Sequence, residues 1–325
     1  MRRPGVGGAR RSGYRGIGGS LLLAPSISIA GTRGGTLTAT VTGVPTPTVQ
    51  WYRGSLIGGG GTFSAIVGAT SLTYDDALTY QRDAYCIATN AAASTTSNTL
   101  AATVVSGIAN ITNANYFVAA AGGPDFTSGL GAIGVVFRKI SSGNMVREWR
   151  FSRYVANTSG YRAMIYDGTN SRVQMTAVNN TPTNVSEVNT IAALGQNTLH
   201  RFVATANGGV LETYMDGALL SAGTALASYT AATAAFRIEA SGATDEIEIV
   251  SVSVAAGVGM SSAEVTTWDA QVIGGGSRAV PDATHHWEAM DWDAAASWTD
   301  RIAALALTLA ASAPTKREIT GAAWA

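Results

Sequence analysis

Short runs of alternating apolar and polar residues, separated by turn-forming residues, follow one another through residues 24–105. A period of two places the apolar side chains of a strand on one face. Pro45 and Pro47 interrupt the pattern before the third run, and four glycines follow that run at 58–61. The pattern predicts an all-β sandwich with strands near residues 27–29, 37–41, 49–52, 72–74 and 85–88.

Residues 106–256 form a second block with strand periodicity. Asn207-Gly208-Gly209 and Asp216-Gly217 flank a six-residue run, and both tolerate the positive φ that a tight hairpin requires. Tyr166-Asp167-Gly168 repeats this turn pattern earlier in the block. Apolar and polar residues also alternate at 236–238 and 247–252, which predicts half-buried strands there.

Residues 257–325 differ in composition from the two blocks. They contain five of the seven tryptophans, namely Trp268, Trp287, Trp292, Trp298 and Trp324. Leu305, Leu307 and Leu309 alternate as in a strand. We therefore expect an appended β segment whose aromatic residues pack on the second block or on a neighbouring subunit, since aromatic residues are enriched at interface cores.

The segment 1–23 is basic, rich in glycine and free of acidic residues. Too little apolar surface is present for it to fold alone. One interpretation is a solvated terminus. The other is an anchoring arm that makes bidentate contacts to a partner through its five arginines: Arg2, Arg3, Arg10, Arg11 and Arg15.

The composition of the chain argues against several classes of function. The 325 residues carry 21 basic and 21 acidic side chains, so no net charge favours nucleic acid or an acidic membrane. The longest apolar run is too short to span a bilayer. A single cysteine, Cys86, excludes an intramolecular disulfide. The basic start lacks the apolar core of a secretory leader, which predicts folding in a reducing cytoplasm.

The first block resembles bacterial and phage immunoglobulin-like domains. The resemblance lies in TLTATVTGVPTPTVQWYRG, SLTYDD and YCIATNAAAST. It implies that Trp51 is the buried core tryptophan of that family and that Cys86 stands in place of its second cysteine. Ala39 occupies the place of the first cysteine, so the disulfide of the family is absent.

The second block resembles the laminin-G-type members of the concanavalin A-like lectin/glucanase fold. The segments TLHRFVATANGGVLETYMDGALL, AAFRIEAS, DEIEIVSVSV and MSSAEVTTW carry this resemblance, in that order. The Tyr-x-Asp-Gly turn is intact at Tyr214 and Asp216, and 262–265 matches the family's short helix. Leu199-His200 stands where the family has Trp-His. The implied fold is an all-β immunoglobulin-like sandwich followed by a concanavalin A-like jelly-roll sandwich.

A cluster of polar residues among the tryptophans is a candidate metal site; its members are Asp282, His285, His286, Glu288, Asp291 and Asp293. Its spacing fits no standard zinc pattern, so a polar rim around buried tryptophans is the favoured interpretation. The lectin-like resemblance also implies Ca²⁺ as a candidate ligand. Asp167 and Asp216 are explained better by their turns, and no EF-hand loop is present.

Asp245, Glu246 and Glu248 raise the alternative of a glycoside hydrolase. Glu246 and Glu248 share a strand face, and a retaining mechanism needs two carboxyl groups about 5 Å apart. However, the Glu-x-Asp-x-x-Glu order of the glucanases is absent. The favoured interpretation is a solvent-facing charged edge, so we predict a binding protein and not an enzyme.

Immunoglobulin-like and lectin-like domains that lack a secretory leader and a disulfide are expected in phage particles, because these particles assemble in the host cytoplasm. We therefore predict a virion-surface protein, on head or tail, that binds host-surface glycans as a homo-oligomer beside other virion proteins. Many copies on one particle would supply avidity. The rival classes are a bacterial surface adhesin and a glycoside hydrolase. Sequence alone assigns no residue to the glycan site.

Overall fold

A computed structural model shows an all-β protein with a single α-helix among the residues that it describes. It describes residues 22–33, 35–55, 59, 61–76, 82–102, 105–109, 111–112, 116–119, 122–141, 147–166, 172–181, 183–241, 246–274, 277–289, 292, 297–303, 305–309, 314–319 and 323–324. Within these ranges, no helix is long and apolar enough to cross a membrane.

The first seven strands form a sandwich of two antiparallel sheets. Its strands are β1 (Leu23–Gly31), β2 (Thr36–Val44), β3 (Thr48–Gly54), β4 (Phe63–Ala65), β5 (Thr73–Asp75), β6 (Ala84–Thr89) and β7 (Ser94–Thr96). One sheet has the order β1-β2-β5 and the other β4-β3-β6-β7. Each of the five predicted strands overlaps one of these elements.

The core of this first sandwich lies between its two sheets. Trp51 and Cys86 are fully buried and lie opposite each other on β3 and β6. The indole Nε1 of Trp51 donates a hydrogen bond to the Ser71 carbonyl at 2.9 Å, which satisfies the polar atom of this buried ring. Ala39 is buried in the same core, and Cys86 is a free thiol.

The rest of the chain forms a larger sandwich. Its elements are β8 (Val105–Ala109), β9 (Phe117–Ala119), β10 (Gly131–Lys139), β11 (Trp149–Val155), β12 (Ser159–Tyr166), β13 (Arg172–Val178), β14 (Asn184–Thr190), β15 (Thr198–Asn207), β16 (Val210–Met215), β17 (Ala218–Leu219), β18 (Thr224–Ala225), β19 (Arg237–Ala240), β20 (Ile247–Ala256), α1 (Ser262–Ile273), β21 (His285–Glu288), β22 (Ser297–Thr299), β23 (Ala306–Leu309), β24 (Thr315–Ile319) and β25 (Ala323–Trp324).

Two sheets and one helix make three layers. The inner sheet has the order β17-β16-β15-β10-β20-β8-β24, with β18, β21 and β25 paired to its members. The outer sheet has the order β14-β13-β12-β11-β19-β9-β23-β22. A large apolar core fills the space between the sheets, and a second core lies beneath α1 on the opposite face of the inner sheet.

The predicted hairpin turn and the predicted helix are present. Asp216 and Gly217 both have positive φ at the turn between β16 and β17, as the Asp-Gly signal requires. Helix α1 begins after Ser261 with a complete capping box to Glu264 and extends to Ile273, further than predicted. Val265, Trp268 and Val272 form its buried face.

The tryptophan-rich segment contributes strands to both sheets of the larger sandwich. β22 and β23 extend the outer sheet, whereas β21, β24 and β25 pair with strands of the inner sheet. The side chains of Trp287, Trp292 and Trp298 are fully buried in the main core. These rings fill space that the strands before residue 256 leave open, so residue 256 is not a boundary in the packing.

Candidate functional site

The candidate site is the solvent-facing side of the outer sheet, here named the arginine face. Four arginines, three tyrosines and two glutamates define it: Arg150, Arg162, Arg172, Arg237, Tyr116, Tyr154, Tyr166, Glu148 and Glu239. The side chains of Arg172 and Arg237 are 41% and 45% exposed, so the face is open to solvent there.

Strand alternation produces this face. On β11, Trp149 and Phe151 point into the main core, so Arg150 and Ser152 point outward. On β12, Tyr161 and Ala163 point inward and Arg162 outward. Because the inward side chains are tightly packed in the core, the outward side chains stand on a rigid support.

Each tyrosine of the arginine face is paired with an arginine. The guanidinium carbon of Arg162 lies 4.9 Å from the ring centre of Tyr154, and that of Arg172 lies 5.3 Å from Tyr166. Arg237 lies 4.9 Å from the ring of Tyr116. These cation–π contacts hold planar, polar side chains flat on the sheet.

The two glutamates neutralise only part of this charge. Glu148 accepts from Arg150 at 2.5 Å and lies 3.7 Å from Arg172. Glu239 lies 3.7 Å from Arg150 and 3.9 Å from Arg237. Four arginines against two glutamates leave an excess of two positive charges on the face.

Arg162 is the arginine of the face that makes no ion pair with a described residue. Burial lowers its pKa, and the positive charges of Arg150 and Arg172 lower it further, against the opposing effect of Tyr154 and Glu148. Its Nε is buried without a hydrogen-bond partner. A guanidinium stays protonated at neutral pH despite such shifts, so Arg162 is a partly desolvated cation.

A row of hydroxyl groups crosses the sheet beside Arg162. Ser152 and Thr176 are its neighbours in register on the adjoining strands, and Ser186 follows on β14. The hydroxyls of Thr176 and Ser186 are hydrogen-bonded at 3.0 Å, and Gln174 donates to Thr176 at 2.8 Å. Ser152 and Thr176 are buried, so the cations and the aromatic rings are the groups of this face that can bind an oxygen-rich ligand through hydrogen bonds and stacking.

A groove in the first sandwich offers less specific chemistry. It has a volume of about 550 Å³ and is lined mainly by small apolar and threonine side chains. The amide of Gln50, its most polar lining group, donates to the backbone carbonyls of Trp51 and Ile66. The side-chain amide of Gln50 is therefore already hydrogen-bonded within the protein.

The acidic residues predicted on β20 do not form a solvent-facing edge. Glu246 and Glu248 are buried because β20 lies inside the inner sheet, between β10 and β8. Arg138 contacts Glu248 at 2.5 Å, and Arg317 lies 3.8 Å from it. The carboxylate of Glu248 thus balances buried positive charge. Asp245 lies outside the described residues.

The predicted polar rim near the tryptophans is also mostly interior. Glu288 is buried and accepts from Arg278 at 2.7 Å, and it lies 2.9 Å from Nε2 of the buried His286. Among the described residues, no three His, Cys, Asp or Glu side chains are placed to hold a metal ion. Asp282 has positive φ in a turn, and burial lowers the pKa of His285. Asp291 and Asp293 lie outside the described residues.

Of the remaining predicted site residues, only Asp216 lies among the residues that the structure describes. Asp216 is engaged within the protein, because its carboxylate accepts from the Arg201 amide at 2.9 Å and lies 2.8 Å from Nδ1 of His200. Asp167, the other Ca²⁺ candidate, lies outside the described residues, as do all five arginines of the predicted anchoring arm.

The arginine face is absent from the sequence-based candidates. A signal for it exists, since an arginine and a tyrosine stand four residues apart on the polar side of 149–155 and of 161–166. However, the face is assembled from strands that are distant in sequence, such as β9, β11 and β19. The sequence pattern predicts each strand, but it does not show which strands are neighbours in the sheet.

No family model and no curated protein matches this chain. Solved structures resemble it at low identity. A proposed carbohydrate-binding protein from Bacteroides ovatus has 8% identity and a TM-score of 0.47 over 91% of each chain. A heptameric pentraxin from Limulus polyphemus has 8% identity and a TM-score of 0.38, over 51% of this chain and 82% of its own.

The Ruminococcus gnavus IT-sialidase CBM40 bound to α2,3-sialyllactose has 10% identity and a TM-score of 0.33, over 50% of this chain and 95% of its own. At these identities and scores, the likenesses assign no function to this chain.

Proposed function

We propose that this protein binds glycans through the arginine face and does not cleave them. The observation that supports this proposal is the set of three arginine–tyrosine pairs on one open, rigid sheet face. Sugars present apolar C–H faces together with many hydroxyl groups, so they suit aromatic rings flanked by planar hydrogen-bonding side chains.

The distribution of acidic residues favours binding over hydrolysis. A retaining glycosidase needs one carboxyl group as acid and another as nucleophile on the two sides of the scissile bond. On the arginine face, Glu148 and Glu239 are engaged by arginines, and the buried Glu248 is engaged by Arg138. A carboxylate held in an ion pair with arginine is occupied and is not free to serve as the acid or the nucleophile.

A glycan array followed by calorimetry on the best binders tests this proposal. Tyr166→Ala removes the ring beneath Arg172, and we expect it to weaken binding by about tenfold, the loss of a stacking contact near 1.4 kcal/mol. Tyr52→Ala is the matched control, because Tyr52 also stacks on an aromatic ring but lies in the first sandwich. Array-wide absence of binding, or equal affinity of the two variants, would refute the proposal.

We further propose, from the sequence, that the first sandwich is an immunoglobulin-like spacer and that the protein is displayed on a phage particle. The free, buried Cys86 beside Ala39 favours a fold that forms without a disulfide. Mass spectrometry and immunogold labelling of purified particles test this placement. Absence of the chain from the particles would favour the adhesin alternative.

A further inference from the structure

We propose that the glycan recognised by the arginine face is acidic, and that Arg162 binds its carboxylate or sulfate group. This inference rests on the proposed glycan binding and adds the chemical class of the ligand. It follows from one difference among the four arginines of the face. Arg150, Arg172 and Arg237 each have a glutamate within 4 Å, whereas Arg162 makes no ion pair with any described residue.

The position of Arg162 suits an anion. It lies on β12, inside the outer sheet, with β11 on one side and β13 on the other. Its register neighbours Ser152 and Thr176 are almost fully buried beside it and carry no charge, so they do not neutralise the guanidinium. A guanidinium presents its donors in a planar fork, which matches two oxygens of a carboxylate or sulfate.

The energetics favour an incoming negative charge. Partial burial removes water from the Arg162 cation, and nearby Arg150 and Arg172 repel it, as the lowered pKa indicates. An anion that enters the face would relieve both penalties and neutralise part of the excess positive charge. A neutral glycan would gain the ring contacts but would leave this cation uncompensated.

Tyr154 fixes the direction of the Arg162 side chain. The guanidinium carbon lies over the ring of Tyr154, 4.9 Å from its centre, so this contact limits the directions that the side chain can take. Its Nε is enclosed, which leaves the terminal amino groups as the donors that can reach a ligand. Such preorganisation reduces the entropy lost when an anion binds.

Paired ligands that differ only in charge provide the test. Oligogalacturonides and their methyl esters present the same sugar with and without a carboxylate. Carrageenan oligosaccharides before and after chemical desulfation make the corresponding comparison for sulfate. We expect the intact protein to bind at least one acidic member about tenfold more tightly than its neutral counterpart.

Variants locate the effect at Arg162. Arg162→Gln is expected to remove the preference for the acidic member while leaving the affinity for the neutral member within about twofold. Arg162→Lys keeps the charge but lacks the fork, so it should retain only part of the preference. Arg53→Gln, on β3 of the first sandwich, is the control for loss of one positive charge elsewhere.

The outcomes separate the two proposals. Equal affinity for acidic and neutral members, with both weakened by Tyr166→Ala, would overturn the acidic class and leave glycan binding standing. No binding to any glycan would overturn both. If Arg162→Gln fails to fold, raising NaCl from about 0.05 M to about 0.5 M with the intact protein serves instead, and selective weakening of the acidic member is expected.

Discussion

At the residue scale, the chemistry of a side chain depends on which side of a sheet it faces. Cys86 points into the core of the first sandwich, and burial raises the pKa of its thiol to about 11. Arg162 points to the other side of the outer sheet from the main core and is only partly buried. The side of the sheet that a residue faces therefore decides whether its side chain is enclosed.

The buried thiol gives a prediction for reactivity. Because the thiolate is the reactive form and Cys86 is both enclosed and protonated, we expect no reaction with Ellman's reagent in the folded protein at pH 8. One equivalent should react after unfolding in guanidinium chloride. Rapid labelling of the folded chain would contradict the buried position.

The thiol of Cys86 also predicts that the stability of the protein depends on pH. Its pKa is higher folded than unfolded, so the folded state binds the proton more tightly. The contribution of Cys86 to the free energy of unfolding is therefore complete below about pH 9, which is the pKa of the thiol in the unfolded chain. This contribution is lost as the pH rises toward about 11, the pKa in the folded state. Urea denaturation of the wild type should show a steeper decline over this range than that of Cys86→Ala.

At the element scale, β20 shows how position within a sheet determines the role of a charged residue. Its sequence alternates like that of a half-buried strand, yet it lies between β10 and β8, with one face toward the main core and the other toward α1. Glu248 is consequently fully buried and paired with Arg138, whose side chain is 12% exposed. A carboxylate in this setting stabilises the sheet through its partner.

Substitution of Glu248 should therefore be costly. Glu248→Ala leaves Arg138 without its buried counter-ion, and we expect a loss of about 3–5 kcal/mol in the free energy of unfolding. Glu239→Ala breaks two exposed pairs at 3.7 and 3.9 Å, so it should cost less than about 1 kcal/mol. Urea titrations of both variants measure the difference, and similar losses would argue against a buried pair.

At the scale of the whole molecule, the chain has two separate sandwiches with separate cores. Trp51 anchors the first, whereas Trp287, Trp292 and Trp298 complete the main core of the second. The arginine face is supported by this main core, because the inward side chains of β11 and β12 belong to it. The candidate site thus depends on core residues that come before residue 256 in the sequence and on others that come after it.

A truncation tests this dependence. A chain that ends at residue 256 lacks α1 and the three core tryptophans, so we expect its second sandwich not to fold. The first sandwich should remain folded, with Trp51 fluorescence still typical of a buried ring. Proteolysis and near-ultraviolet circular dichroism measure both effects. A folded second sandwich in this chain would show that the segment after 256 is dispensable.

Much of the local structure follows from sequence alone. Period-two alternation and turn residues predicted the strands of the first sandwich, and Asp216-Gly217 predicted a hairpin turn of the second, because these signals depend only on neighbours along the chain. The tertiary structure alone decided that β20 is interior, that the tryptophan-rich segment joins both sheets, and that Arg150, Arg162 and Arg172 share one face. Adjacency of strands depends on long-range packing, which no local pattern encodes.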